Sequence, residues 1–270
     1  MESLQSIRQW PVDNAAASVI SADGTVLATA GDAGHRYALA SVTKLLTAYT
    51  ALIAIEEGVV ELDSPAGPEG ATVRHLLAHT AGLGFDSRAV MAAPGDRRLY
   101  SNAGFEVLAE TLEAHSGIAF ADYQAEALFS PLGMRHTVLD GSPAAGAVST
   151  AADLGLFAAE LQSPSLLNER TVTEATAVAF PGRTGVLPGY GHQKPNDWGL
   201  GFEIRDHKSP HWTGSASSPR TFGHFGQAGT FLWVDPDAGL ACVSLADRAF
   251  GPWAVRAWPM FTDAVLAELA

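Results

Sequence analysis

Strand-forming segments stand at both ends of this 270-residue chain, and helix-forming segments fill the stretch between them. Residues 15–20 and 25–30 flank Asp23-Gly24, a dipeptide with the turn chemistry of a β-hairpin. Residues 199–205, 221–225, 230–234 and 240–246 have the same texture, and "DPDAG" at 235–239 supplies the last hairpin turn. Strand groups so far apart predict that the two ends of the chain meet in one antiparallel sheet, with the helical middle packed against it. The expected fold class is α+β, a single unit over 1–270. An α/β lobe (about 1–60 and 190–270) faces a mainly helical lobe (about 61–189), and a ligand belongs in the cleft between them.

A helix is predicted to start near Ser41. Leu45, Leu46, Tyr49, Leu52, Ile53 and Ile55 leave it almost no polar face before Gly58 stops it, so it should be buried. Further helices are expected over 73–79, 104–115, 120–128 and 151–161, the last capped by Ser149 or Thr150. A terminal helix over 252–269 should be kinked by Pro259, which flanks the sheet with helix at the chain's end.

Apolar residues make up 47% of the chain, enough for a sizeable core. The formal charge of −13 argues against a nucleic-acid backbone or an anionic membrane surface as partner, because both are held by clustered Lys and Arg. Small molecules remain. The single cysteine, Cys242, lies in the apolar run "GLACVSLA" and reads as a core thiol. No basic and then apolar leader opens the chain, and the run at 45–55 is shorter than the ~20 residues that span a bilayer. A cytoplasmic location is the expectation.

Only three lysines occur in the chain, and one of them, Lys44, sits three residues after Ser41 at the head of the buried helix. At this spacing the two side chains share a helix face. Burial and the field of the helix N-terminus both disfavour an ammonium, so Lys44 can take a proton from Ser41. Two more elements follow in chain order. Tyr100-Ser101-Asn102 lies in "PGDRRLYSNAGFEVLAE" just before a helix, and His224-Phe225-Gly226 lies in "FGHFGQAGTFLWVDP" at the end of a strand.

With S-V-T-K, Y-S-N and H-F-G in this order, and with "HLLAHTAGLG", "SPLGMRHT", "STAADL" and "WGLGF" between them, the chain resembles the serine β-lactamase-related family. That family includes class C β-lactamases, D-alanyl-D-alanine carboxypeptidases and family VIII carboxylesterases. The resemblance runs from Ala15 to about Asp247 and implies a β-lactamase/transpeptidase-like fold with an all-α lobe. It implies Ser41 as nucleophile, Lys44 as its basic partner and Tyr100 as proton shuttle to the leaving group. Asn102 would hold the lysine and a substrate oxygen. The backbone N–H groups of Ser41 and Gln227 would form the oxyanion hole, and Gly226 would leave room for substrate along the strand. Either Lys44 or Tyr100 could be the resting base.

Two departures bear on substrate. His224 stands where related enzymes carry lysine, so a permanent cation is missing, and Phe225 replaces the usual Thr or Ser, removing a hydroxyl that could bind a carboxylate. If Phe225 faces the core instead, its ring would not line the site. The expectation is therefore a serine hydrolase of carboxylesterase type acting on small or uncharged esters or amides. Phe85, Trp198, Trp212 and Phe225 are candidates for an apolar pocket. A D-alanyl-D-alanine carboxypeptidase or peptidase, a weak β-lactamase, and a non-catalytic penicillin-binding sensor are the alternatives. The expected partner is a small-molecule ester, amide or β-lactam, and the oligomeric state is left open. No cofactor is implied. His75/His79 and His207/His211 have zinc-like spacing but neither the Glu of H-E-x-x-H nor a third ligand, so no metal is expected.

Overall fold

In the computed structural model, which describes residues 1–270, the N-terminal hairpin forms from β1 (Ala15–Ser21) and β2 (Val26–Ala30). There follow β3 (Tyr37–Ala38), α1 (Thr43–Glu56), α2 (Val73–Leu77), α3 (Asn102–Ser116), α4 (Phe120–Gln124) and α5 (Ser130–Leu132). Next come β4 (Val138–Leu139), β5 (Ala147–Ser149), α6 (Ala151–Gln162), α7 (Glu169–Ala175), β6 (Gly185–Leu187) and β7 (Gly191–Gln193). The chain closes with β8 (Glu203–Ile204), β9 (Phe222–Gly226), β10 (Thr230–Asp235), β11 (Leu240–Ala246) and α8 (Pro252–Leu269).

One six-stranded antiparallel sheet in the order β2-β1-β11-β10-β9-β8 joins the two ends of the chain, with Ala15 opposite Ala246 and Ser21 opposite Leu240. Strand alternation sorts its apolar side chains onto two faces. Ala16, Ile20, Leu232, Val234, Ala241, Val243 and Leu245 face a core that also holds α1 and α6. Ala17, Val19, Phe231, Trp233, Leu240, Cys242 and Ala246 face Trp258, Phe261 and Val265 of α8 and Leu4 and Ile7 of an N-terminal 3-10 helix, Ser3–Gln9. A sheet covered on both faces needs apolar residues at nearly every position, which is why β10 and β11 read as continuous rather than alternating runs. Burial pushes the Cys242 thiol far up, leaving it unreactive. No helix is long and apolar enough to cross a membrane.

Several elements differ from their sequence-based outlines. Helix α6, inside the stretch read as helical lobe, packs on β1, β10 and β11. Of the strand expected at 199–205, only Glu203–Ile204 pairs, because Gly201 (φ 92°) turns against α1, where a Cβ would lie 2.1 Å from that of Ala48. The helix expected over 120–128 changes after Gln124 into a π-helical turn, Ala125–Phe129. The small sheet β3-β5-β4 was not foreseen, since strands of two or three residues carry no periodicity to read.

Candidate active site

Ser41 sits in a 3-10 turn, Ala40–Val42, that leads directly into α1. Ala40, just before it, has φ +45°, a left-handed conformation that costs a residue with a Cβ ~1–3 kcal/mol unless its surroundings hold it. They do so from two sides. Leu39 N–H donates to Ala147 of β5 (2.9 Å), and Leu39 C=O accepts from Thr230 Oγ1 of β10 (2.8 Å). Gly226 of β9 closes the clamp: a Cβ there would fall 2.2 Å from the Leu39 carbonyl oxygen and 2.4 Å from Thr230 Oγ1. The missing side chain was expected to make room for substrate, but the structure shows it making room for the backbone that carries Ser41.

Helix α1 is buried from Thr43 to Ala54, and Lys44 has no exposed surface. Its Nζ donates to Asn102 Oδ1 (2.6 Å) and Ala144 C=O (2.9 Å) and lies 3.3 Å from Ser41 Oγ. Burial pulls its pKa down to about 7, against a partial restoring effect of Asp86 and Glu106. Asn102 N–H and side chain are both anchored: its N–H donates to Phe85 C=O (2.7 Å) and its Nδ2 to Asp86 Oδ1 (2.7 Å). That second bond fixes the amide orientation and turns Oδ1 toward the lysine. Since Asn102 Oδ1 and Ala144 C=O can only accept, a neutral Lys44 spends its two N–H bonds on them and aims its lone pair at Ser41.

Tyr100 lies over Lys44, whose Nζ is 4.7 Å from the ring centroid. The Tyr100 hydroxyl is 3.2 Å from His224 Nε2. His224 Nδ1 is 2.6 Å from the Phe225 carbonyl, which can only accept, so Nδ1 carries the proton and Nε2 is the acceptor for the tyrosine O–H. Burial, reinforced by Lys44, lowers the His224 pKa to about 3, and burial pushes that of Tyr100 well up. Both groups are therefore neutral across the physiological range. His79 supports the tyrosine from behind: its ring is 4.6 Å from that of Tyr100, and its Nδ1 accepts from Ser101 N–H (3.2 Å). His75 is hydrogen-bonded to Thr72 Oγ1 (2.9 Å) and His211 to Glu203 (2.9 Å), so neither zinc-like pair is assembled into a ligand set.

Neither Ser41 N–H, in the 3-10 turn, nor Gln227 N–H, just past the end of β9, donates to any group of the protein, which leaves both available. A chamber of about 140 Å³ opens beside Ser41, walled by Phe85, Leu187, Pro188, Trp198 and Phe225 along with Tyr100, His224 and Glu203. Phe225 lines the chamber and also packs beneath the sheet on Phe250 (4.8 Å) and Trp258 (5.9 Å). Trp212 does not line it. This indole is buried behind Phe225 (5.8 Å) and donates from Nε1 to Glu203 (2.8 Å). Burial raises the Glu203 pKa, but His211 and Lys208 outweigh it and hold the carboxyl at about 2. Its charge is thus matched by Lys208, which has its own donors committed to Glu203, Asp197 C=O and Ile204 C=O.

Residues 12–267 match the family model described as Beta-lactamase. The chain belongs to the beta-lactamase family. A solved structure described as a β-lactamase from Mycobacterium bovis is 58% identical and superposes with a TM-score of 0.97 over 99% of each chain. Among curated proteins, penicillin-binding protein 4* of Bacillus subtilis is 29% identical over 37% of this chain and 30% of its own length. The D-alanyl-D-alanine-carboxypeptidase/endopeptidase AmpH of Escherichia coli K12 is 30% identical over 39% of this chain and 37% of its own. The matched stretches thus span about a third of each of these two relatives. Family and fold agree with the resemblance read from the sequence motifs.

In this beta-lactamase-family chain the structure brings Ser41, Lys44, Tyr100, Asn102, His224, Gly226 and Gln227 together from three separate segments. Sequence reading missed Asp86, Ala144, His79, Leu187, Pro188 and Glu203. Asp86, in "GFDS", carried no signal, and Ala144 takes part only through its carbonyl, which any residue supplies. Leu187 and Pro188 belong to the β6–β7 hairpin, whose "PGRTGVLPGYG" reads as loop.

Proposed function

We propose that this chain is a serine hydrolase of carboxylesterase type that forms an acyl-enzyme on Ser41 from esters or amides with a small, uncharged acyl group. The observation that carries this reading is the chamber beside Ser41. At about 140 Å³, room for four or five waters at ~30 Å³ each, it suits a short acyl chain and is below the ~300–1,000 Å³ of a drug-sized ligand site. It offers an acyl carboxylate no free cation: His224 is neutral, Phe225 has no hydroxyl, and Lys208 is spent on Glu203.

In this reading neutral Lys44 is the resting base and accepts the Ser41 hydroxyl proton as Oγ bonds to the acyl carbon. The N–H groups of Ser41 and Gln227 hold the oxyanion. Collapse breaks the bond to the leaving oxygen; the Tyr100 hydroxyl, kept in place by His224, gives that oxygen its proton and takes back the one that Lys44 accepted, which leaves Lys44 neutral again. Water then repeats the sequence on the acyl-enzyme, releasing the acid and restoring Ser41.

The test is intact-protein mass after brief exposure to p-nitrophenyl acetate and, separately, to a penicillin, with nitrophenol release followed in parallel. Turnover of the ester with no lasting penicillin adduct is the expected result, and Ser41→Ala should lose the turnover. The identity to the M. bovis protein described as a β-lactamase favours a second reading, acylation by β-lactams. A persistent or rapidly hydrolysed penicillin adduct with poor ester turnover would replace the first reading by the second.

A further inference from the structure

A second, larger cavity of about 500 Å³ adjoins the acyl chamber and shares Phe85, Tyr100 and Pro188 with it. Its floor is held in place by Arg98, whose buried guanidinium donates to the carbonyls of Ala78, Ala179 and Asn196 and ties the β6–β7 region to the end of α2. Its rim is apolar and open to solvent. Phe85, Met91 and Val186 are 53%, 59% and 57% exposed, an arrangement that leaves large side chains wet until something covers them.

The charge of this groove runs against that of the molecule. Asp plus Glu outnumber Lys plus Arg by 29 to 16 in the chain, yet no carboxylate lines the groove, while Arg97, Arg98 and His192 do. Arg98 is committed to backbone carbonyls. Arg97 is exposed, makes no ion pair, and donates only from Nη2 to Met91 C=O (3.0 Å), which leaves most of its fork free.

We infer that this groove is the leaving-group subsite, and that it selects esters whose alcohol portion is an apolar stem ending in an anionic group held by Arg97. The inference rests on the acyl-enzyme reading above, in which Tyr100 protonates the leaving oxygen. Phe85, Tyr100 and Pro188 line both cavities, so a short acyl group in the chamber sends the leaving group past Phe85 and Tyr100 into the groove. Carboxylate and phosphate both match a guanidinium fork, and the stem covers the exposed apolar rim.

The experiment compares kcat/KM for acetate esters of alcohols of equal stem length ending in a methyl, a carboxylate or a phosphate. In parallel, calorimetry measures binding of the free alcohols to Ser41→Ala protein, which cannot turn over. Anionic stems should exceed the methyl-ended stem by about three- to fivefold, the scale of one exposed ion pair. That ratio should fall to about one in Arg97→Gln, invert in Arg97→Glu and largely return in Arg97→Lys. Val186→Trp, which fills the groove, should weaken long-alcohol esters and spare long-acyl ones. The carboxylate and phosphate arms show which anion the fork prefers. An unchanged anionic ratio in Arg97→Gln, or a Val186→Trp effect on acyl length instead, overturns the inference. Arg97-dependent alcohol binding without any Ser41 acylation would discard the esterase reading and keep the subsite, whereas ester turnover indifferent to Arg97 would discard the subsite alone.

Discussion

The pH dependence of acylation tests the assignment of Lys44 as resting base. With a pKa of about 7, half of the Lys44 side chains are neutral at pH 7, whereas an ordinary lysine at 10.5 would be neutral in fewer than about one molecule in a thousand. The difference, about 5 kcal/mol, is the contribution asked of burial. The acylation rate should therefore rise about tenfold per pH unit below 7 and level off above about pH 8. His224, at about 3, and Tyr100, pushed well up, do not change charge between pH 5.5 and 9, so a single ionisation should describe the curve. The assay is the pre-steady-state burst of nitrophenol from p-nitrophenyl acetate, repeated with Tyr100→Phe. That variant should lower the plateau and leave the inflection in place. A rate still climbing past pH 9, or an inflection that vanishes with Tyr100→Phe, would refute the reasoning.

Three further outcomes are expected. Lys44→Met should abolish acylation and change stability in a pH-dependent way. The unfolded lysine holds its proton up to about 10.5 and the folded one only to about 7, so the cost of burying it is full below pH 7 and fades as pH rises; the melting temperature of Lys44→Met relative to wild type should be higher at pH 6 than at pH 9. A pH-independent difference would count against the lowered pKa. Gly226→Ala should lose ~1–3 kcal/mol in urea unfolding and at least about tenfold in kcat/KM, because its Cβ collides with the backbone that presents Ser41; activity within twofold of wild type would remove the clamp argument. Phe225→Thr should lose ~3 kcal/mol or more through the void it leaves among Phe250, Trp258 and Trp212, and a stability equal to wild type would show that the ring is not packed there.

Much of this protein is legible in its sequence, and the legible parts share a cause. Ser41 and Lys44 lie one helical turn apart, so covalent spacing alone places them on one face. The hairpins announce themselves through Asp23-Gly24 and "DPDAG", and the sheet's strands through their apolar runs. Thr150 is found as the cap of α6 because it accepts from Asp153 N–H (3.1 Å) three residues on, a contact within one turn.

What the tertiary structure decided involves groups brought together across long stretches of chain. Asp86 reaches Asn102 and Ala144 reaches Lys44 across distances no local pattern encodes, and strands as short as β3, β4 and β5 exist only because each has the other to pair with. Trp212 reads as a loop aromatic free to line a pocket, but Glu203 accepts from its indole and holds it behind Phe225. The lysine's lowered pKa has the same origin. A side chain titrates according to the water it has lost, and folding removes that water by packing segments that are distant in sequence around it.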